Sequence, residues 1–318
     1  MARKEFEAAE LAARFPPRLL HPHKQLVHRL ACPPERPPSG TLVVTRWAAM
    51  ALPPDLGPRE VALEVAPRFF DYAAAAPGER EWHLNFADAH LFGFYGGALL
   101  AQDELQVAEH PSLASLREAL VGSDLPPLTT EGGRPTPVLV RGVERRCEIA
   151  TDPDDEAGRP LGLYGNRFAR AAAGVVERAV RVIDPPTISN IIAMEAPSHG
   201  RGDYSRGQIE RVLATAFTGF RAACLESRGD AAVVHTGFWG CGAYGGNRTL
   251  MALLQLAAGR LAGVGRLVFH AVDEEGRRDL ERGRKALAAE AAAAGGSVGA
   301  LVDGLVKRRY TWGESDGN

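Results

Sequence analysis

The chain has 318 residues, 45% hydrophobic and 24% charged, with a formal net charge of -2. That length buries a substantial core in one large domain or two small ones. The near-neutral balance argues against a protein that grips nucleic acid through a broad basic field, and no direct nucleic-acid site is evident.

Cys32, Cys147, Cys224 and Cys241 stand without CxxC pairing, so neither a zinc motif nor a disulfide framework is indicated. No apolar run reaches the roughly 18 residues of a membrane span. The opening MARKEFEAAELAARF carries charges where a signal peptide needs an apolar stretch. A reducing cytoplasm is the expected setting, and the spacing suggests neither metal nor cofactor.

In chain order, the first eighty residues read as short helices broken by proline. Glu5 to Phe15 has helical composition and stops at Pro16-Pro17. Leu26 to Ala31 ends at the prolines between 33 and 38, and Val61 to Ala75 again looks helical. Only Thr41 to Trp47 reads equally as strand or helix turn. Residues 1–80 are thus expected to form a helical accessory region on a core of residues 81–318.

From Trp82 onward short strands alternate with helices. His83 to Ala87 is a strand candidate, and Gly97 to Glu109 has helix formers with apolar spacing. Val138 to Val140 and Cys147 to Ile149 read as two short strands about a turn, and residues 121–136 and 151–166 as loops. Ile188 to Met194 is a buried-strand run. Ser205 to Ser227 is a strongly periodic helix, with Ile209, Val212, Leu213, Ala216, Phe217 and Phe220 on one stripe. Ala231 to His235, a glycine loop, a helix from Arg248 to Ala262 and a strand from Arg266 to Val272 make a βαβ unit with parallel pairing. Ala286 to Ala294 and Val298 to Arg309 add helix.

Two segments are suited to chemistry. Thr236-Gly-Phe-Trp-Gly-Cys-Gly-Ala-Tyr-Gly-Gly246 packs five glycines into eleven residues between a strand and a helix. Unpaired N–H groups and the helix dipole favour an anion there, and glycine lets the chain approach it closely. No Gly-Lys-Ser/Thr follows, so Walker-type phosphoryl transfer is not supported. Trp239 and Tyr244 offer flat faces for a sugar or base, and Cys241 reads as small packing. The second segment, Phe92 to Glu104, runs from glycines into a helix bearing Gln102, Asp103 and Glu104. A QDE triplet alone is most often a solvated helix face. Adjacent helical residues diverge by about 100°, so one carboxylate of the pair aims at a ligand and the other does not.

Together these segments resemble the poly(ADP-ribose) glycohydrolases. Asn85-Phe86-Ala87 is similar to that family's phenylalanine-alanine stretch, and Gln102-Asp103-Glu104 to its Gln-Glu-Glu. Thr236 to Gly246 follows its Thr-Gly-Asn-Trp-Gly-Cys-Gly-Ala-Phe-Gly-Gly loop except at Phe238 and Tyr244. Ala193 to Pro197, Ala216 to Phe220 and Ser297-Val-Gly299 track it further, so the likeness spans about residues 83 to 310.

The resemblance implies an α/β, macrodomain-like mixed sheet flanked by helices, and an ADP-ribose-containing substrate. By position it makes Glu104 the catalytic acid and Asp103 the residue that helps position substrate. Asn85, Phe86 and Gln102 fall at the substrate, Phe217 over the adenine, and Trp239, Gly240, Cys241, Gly242, Ala243, Tyr244, Gly245 and Gly246 around the diphosphate.

Two departures stand out: the family's triple glycine falls on Phe92, Gly93 and Phe94, and Asp103 shortens the usual Glu. The implied activity is hydrolysis of ribosyl O-glycosidic bonds, which needs a carboxylic acid to protonate the leaving oxygen. A binding module that holds ADP-ribose without cleaving it is the alternative. A nicotinamide-dependent oxidoreductase on a doubly wound fold ranks third.

Overall fold

The computed structural model describes residues 1–198 and 200–317. The chain opens with β1 (Ala2–Glu7), α1 (Ala8–Arg14), α2 (Pro22–Ala31), β2 (Thr41–Arg46) and β3 (Ala62–Ala66). Next come β4 (Glu79–Ala87), α3 (Gln102–Glu109), α4 (Ser112–Leu120) and the two-residue strands β5 (Thr130–Glu131) and β6 (Arg134–Pro135). β7 (Val138–Ile149), α5 (Arg167–Arg170), α6 (Ala173–Ala179), β8 (Val180–Glu195) and α7 (Arg206–Glu226) follow. The order closes with β9 (Ala231–Thr236), α8 (Arg248–Ala262), β10 (Arg266–His270), α9 (Glu274–Ala293) and α10 (Val298–Lys307).

Eight strands form one mixed sheet in the order β1-β2-β7-β8-β4-β9-β10-β3. β8, β4, β9, β10 and β3 run parallel, and β1, β2 and β7 add antiparallel pairings at the other side. The predicted parallel pairing of β9 and β10 is present, with Val234 opposite Leu267. This is a macrodomain-like α/β sheet with helices on both faces.

Side-chain alternation along a strand decides which layer each residue joins. On β4, Trp82 and Leu84 enter the core shared with α7, α8 and α10. His83 and Asn85 point to the opposite face, where Asn85 meets α3. The long helices begin as their sequences dictate. Ser205 caps α7 in a reciprocal pairing with Gln208, and Asn247 accepts from the Leu250 N–H to start α8. Gly263, at φ +74, ends α8 in the left-handed conformation.

Four expectations give way. The first eighty residues are not all helical, because β1, β2 and β3 all join the main sheet. The helical reading of Val61 to Ala75 fails because Ala62–Ala66 pairs along the open edge of β10; partner strand and β-branched Val65 outweigh the helix-forming alanines. The helix expected from Gly97 starts only at Gln102. The two short strands expected around residue 143 are one strand, β7, with register shifts at Val140/Val143 and Arg145/Cys147 that absorb the sequence irregularity.

Candidate active site

β4 is the pivot. It pairs with β9 only as far as His83 and with β8 as far as Ala87, so its last residues lose one neighbour where the chain after β9 turns away. A crevice opens there, beyond the carboxyl ends of parallel strands, as open α/β sheets favour. Its volume is about 540 Å³, and its walls come from the end of β4, the start of α3, the loop after β9 and residues 315–317.

Gln102 occupies the vacated side of β4. Its carbonyl accepts from the Phe86 N–H at 2.7 Å, and its amide donates to Leu84 O at 3.0 Å. The side chain thereby imitates a neighbouring strand, satisfies two backbone groups and fixes the start of α3 against the sheet. Tyr164 at the rim accepts from the Gln102 N–H at 3.1 Å.

Asp103 and Glu104 follow, with only 7% and 3% of their surface exposed. Asn85, wholly buried, donates from Nδ2 to Asp103 Oδ1 at 3.0 Å. Glu104 Oε2 accepts from the Ala101 N–H at 3.0 Å, a helix-start contact. Burial raises the Asp103 pKa to about 8, with the neighbouring Glu104 charge adding to it and the Asn85 bond opposing. Burial raises Glu104 as well, against the pull of the Lys24 ammonium. Both carboxyls are biased toward holding a proton.

Lys24, on α2, acts electrostatically on the carboxyl pair, and the sequence did not single it out. It is 2% exposed, and its ammonium makes no hydrogen bond among the described residues. The ammonium lies 5.6 Å from the centre of the Phe168 ring. Burial lowers its pKa to about 8, while Glu104 and Asp103 hold it up. The one signal available was its being one of four lysines in a chain whose cations are otherwise arginine.

The opposite wall is made of backbone. Gln255, buried in α8, donates to Gly237 O at 2.9 Å and meets the Thr236 hydroxyl, which pins the start of the loop. Gly240 sits at φ +75, and a Cβ there would stand 2.4 Å from that of Ala196. Only glycine fits. The N–H groups of Gly240, Gly242 and Ala243 donate to no backbone carbonyl among the described residues. They stand just before the N-terminus of α8, where the dipole adds to their attraction for an anion. Tyr244 bridges the walls, donating to Asp88 Oδ2 at 2.9 Å.

Of the residues singled out in the sequence, Phe86, Gln102, Asp103, Glu104, Trp239, Gly240, Gly242, Ala243 and Tyr244 line this one crevice. Asn85 stands behind Asp103, and Cys241, Gly245 and Gly246 are not among the lining residues. Two of the singled-out aromatic residues are buried. Trp239 is fully buried with its indole N–H on Met194 O at 3.0 Å, so it is a wall and not an open stacking face. Phe217, 5% exposed, belongs to the core between α7 and the sheet and does not reach the crevice.

The altered glycine segment splits its two bulky residues. Phe92 is fully buried and takes φ +52, a glycine-like conformation that costs a phenylalanine about 1–3 kcal/mol. Phe94 is 58% exposed and lines the crevice.

Gly240, Gly242 and Gly245 stand at G-x-G-x-x-G spacing, which dinucleotide-binding turns share. What distinguishes this site is the buried carboxyl pair on the facing wall.

Residues 164–279 match the family model of poly(ADP-ribose) glycohydrolase (PARG), macro domain fold. The matched segment takes in the whole Thr236–Gly246 loop and not α3. Among solved structures, poly(ADP-ribose) glycohydrolase from Thermomonospora curvata is 19% identical over 87% of this chain and 97% of its own, with a TM-score of 0.44. The Thermomonospora curvata enzyme bound to the inhibitor ADP-HPD is 17% identical, over 89% and 84%, with a TM-score of 0.46. The Deinococcus radiodurans enzyme in complex with ADP-ribose is 16% identical, over 91% and 94%, with a TM-score of 0.44. No curated protein sequence matches the chain. No helix of the described residues is long and apolar enough to cross a membrane.

Proposed function

We propose that the protein is an ADP-ribosyl glycohydrolase that cleaves ribosyl O-glycosidic bonds of poly(ADP-ribose) or ADP-ribosylated targets. One observation carries this reading: a buried, proton-retaining carboxyl pair faces, across a single crevice, three backbone amides that donate to no backbone carbonyl among the described residues. The amides suit a diphosphate, and the carboxyls suit the sugar next to it.

In this reading the loop holds the diphosphate and so fixes the ribose against α3. Glu104, protonated because it is buried, gives its proton to the leaving oxygen as the bond to the anomeric carbon breaks. The sugar passes through an oxocarbenium-like state, and water adds to the anomeric carbon. That water returns a proton to Glu104. Asp103, held by Asn85, orients the ribose hydroxyls. Lys24 limits how far burial can raise Glu104, which keeps the acid near the pH at which it must recycle.

A second reading, a module that binds ADP-ribose without cleaving it, is favoured by Phe94, whose exposed ring narrows the crevice where the resemblance places glycine. Incubation with labelled poly- and mono-ADP-ribosylated substrates separates the two. The parent is expected to release ADP-ribose, and Glu104→Gln to slow release by about 10²- to 10⁴-fold with ADP-ribose affinity retained. Saturable binding without release selects the binding module.

A further inference from the structure

Segment 311–317 (Thr-Trp-Gly-Glu-Ser-Asp-Gly) runs over the loop and into the crevice. Upstream it is fixed. Trp312 stacks on Tyr204 with ring centres 4.2 Å apart and 7° between planes, and its backbone N–H donates to Gly202 O at 2.9 Å. Asn247, the cap of α8, donates to Thr311 O at 2.9 Å. Beyond Trp312 the chain lies on the glycines. The Gly313 N–H donates to Gly245 O at 2.9 Å and the Asp316 N–H to Gly242 O at 3.4 Å. At its far end Asn166, beside the rim residue Tyr164, donates to Gly317 O at 2.9 Å.

The position of Asp316 is the decisive feature. A Cβ built on Gly242 would stand 3.0 Å from Asp316 Oδ2, and one on Gly245 would stand 3.1 Å from Gly313 O. A carboxylate is therefore seated against the glycine loop at Gly242, and Ser315, Asp316 and Gly317 are part of the crevice wall. Glu314 to Gly317 are otherwise exposed to solvent, so little packing holds this stretch once it lifts at Gly313.

We infer that residues 313–317 are a self-inhibitory strap, with the Asp316 carboxylate standing in for the ligand's phosphate until the ligand displaces it. The inference rests on the diphosphate reading of the loop. A diphosphate cannot share that face with Asp316, for reasons of space and of like charge, so strap and ligand exclude one another. Binding then draws on the strap-open fraction alone, and the apparent affinity falls by that fraction.

Calorimetric titration with ADP-ribose tests it on three full-length or near-full-length proteins: the parent, Asp316→Asn and a variant lacking residues 314–317. If the strap is seated about 90–99% of the time, the deletion tightens binding about 10- to 100-fold, and Asp316→Asn tightens it by a smaller factor. Equal affinity in all three overturns the strap and leaves the diphosphate reading standing. Weaker binding after deletion also overturns it, since the segment would then be part of the ligand's own site. No binding by any of the three, with each melting cooperatively, overturns the diphosphate reading and the strap with it.

Discussion

The two walls of the crevice are built from different materials. In the proposed reading the wall after β9 meets a ligand with main chain from Thr236 to Gly246, next to the cap Asn247 and pinned by Gln255. The α3 wall meets it with side chains whose properties come from groups scattered over the chain: Lys24, Asn85 and the Ala101 N–H. A binding wall made of backbone is a local matter of φ angles and missing Cβ atoms. A proton-handling wall is a tertiary matter, because burial and neighbouring charge set its acidity.

Substitutions should therefore separate cleanly. Gly240→Val puts a branched side chain at φ +75, against Ala196. It is expected to cost about 1–3 kcal/mol in stability and to weaken ADP-ribose binding more than any single change on α3. Calorimetry beside a denaturant melt reads both effects, and unchanged affinity would mean that the loop is not the anchor.

Lys24→Met works on the other wall. Loss of the ammonium removes the main force opposing burial at Glu104, so Glu104 keeps its proton to higher pH. The alkaline limb of the pH–rate profile is expected to move to higher pH with ADP-ribose affinity unchanged. A limb that stays in place would detach Lys24 from the acid.

Asp103→Asn is read by stability. Folded Asp103 holds its proton up to about pH 8, against an ordinary value of 3.8. Between those values the folded state binds more protons than the unfolded state, so its contribution is full below pH 4 and is lost as pH rises toward 8. The decline in melting temperature across that range is expected to be flatter in Asp103→Asn. An equally steep decline would place the titrating group elsewhere.

The same contrast explains what the sequence disclosed. The loop, the β9–α8–β10 unit and the periodic α7 were legible because each is specified by neighbours in the chain. Glu104 was legible only through its triplet, since nothing in Gln102-Asp103-Glu104 reveals that both acids are buried. β3 was hidden because Val61 to Ala75 has helical composition, and the open edge of β10 that recruits Ala62–Ala66 lies about two hundred residues away. Lys24 and the strap were hidden for that reason too. Each matters only for what the fold brings beside it.

The smallest expected effect concerns a residue that belongs to neither wall. The resemblance assigned Phe217 to the adenine, yet its ring is 5% exposed and packs in the core beneath β8. Phe217→Leu then removes part of a core side chain and nothing from the crevice, for a loss of about 1–2 kcal/mol in stability and unchanged affinity for ADP-ribose. Pairing that titration with ribose 5-phosphate, which lacks the base, makes the result decisive. If ADP-ribose affinity falls while that of ribose 5-phosphate holds, the ring does reach the adenine, and the crevice opens toward α7 once ligand arrives. The binding wall would then depend on a distant side chain as the acid wall does, and the separation between backbone and side-chain walls would fail.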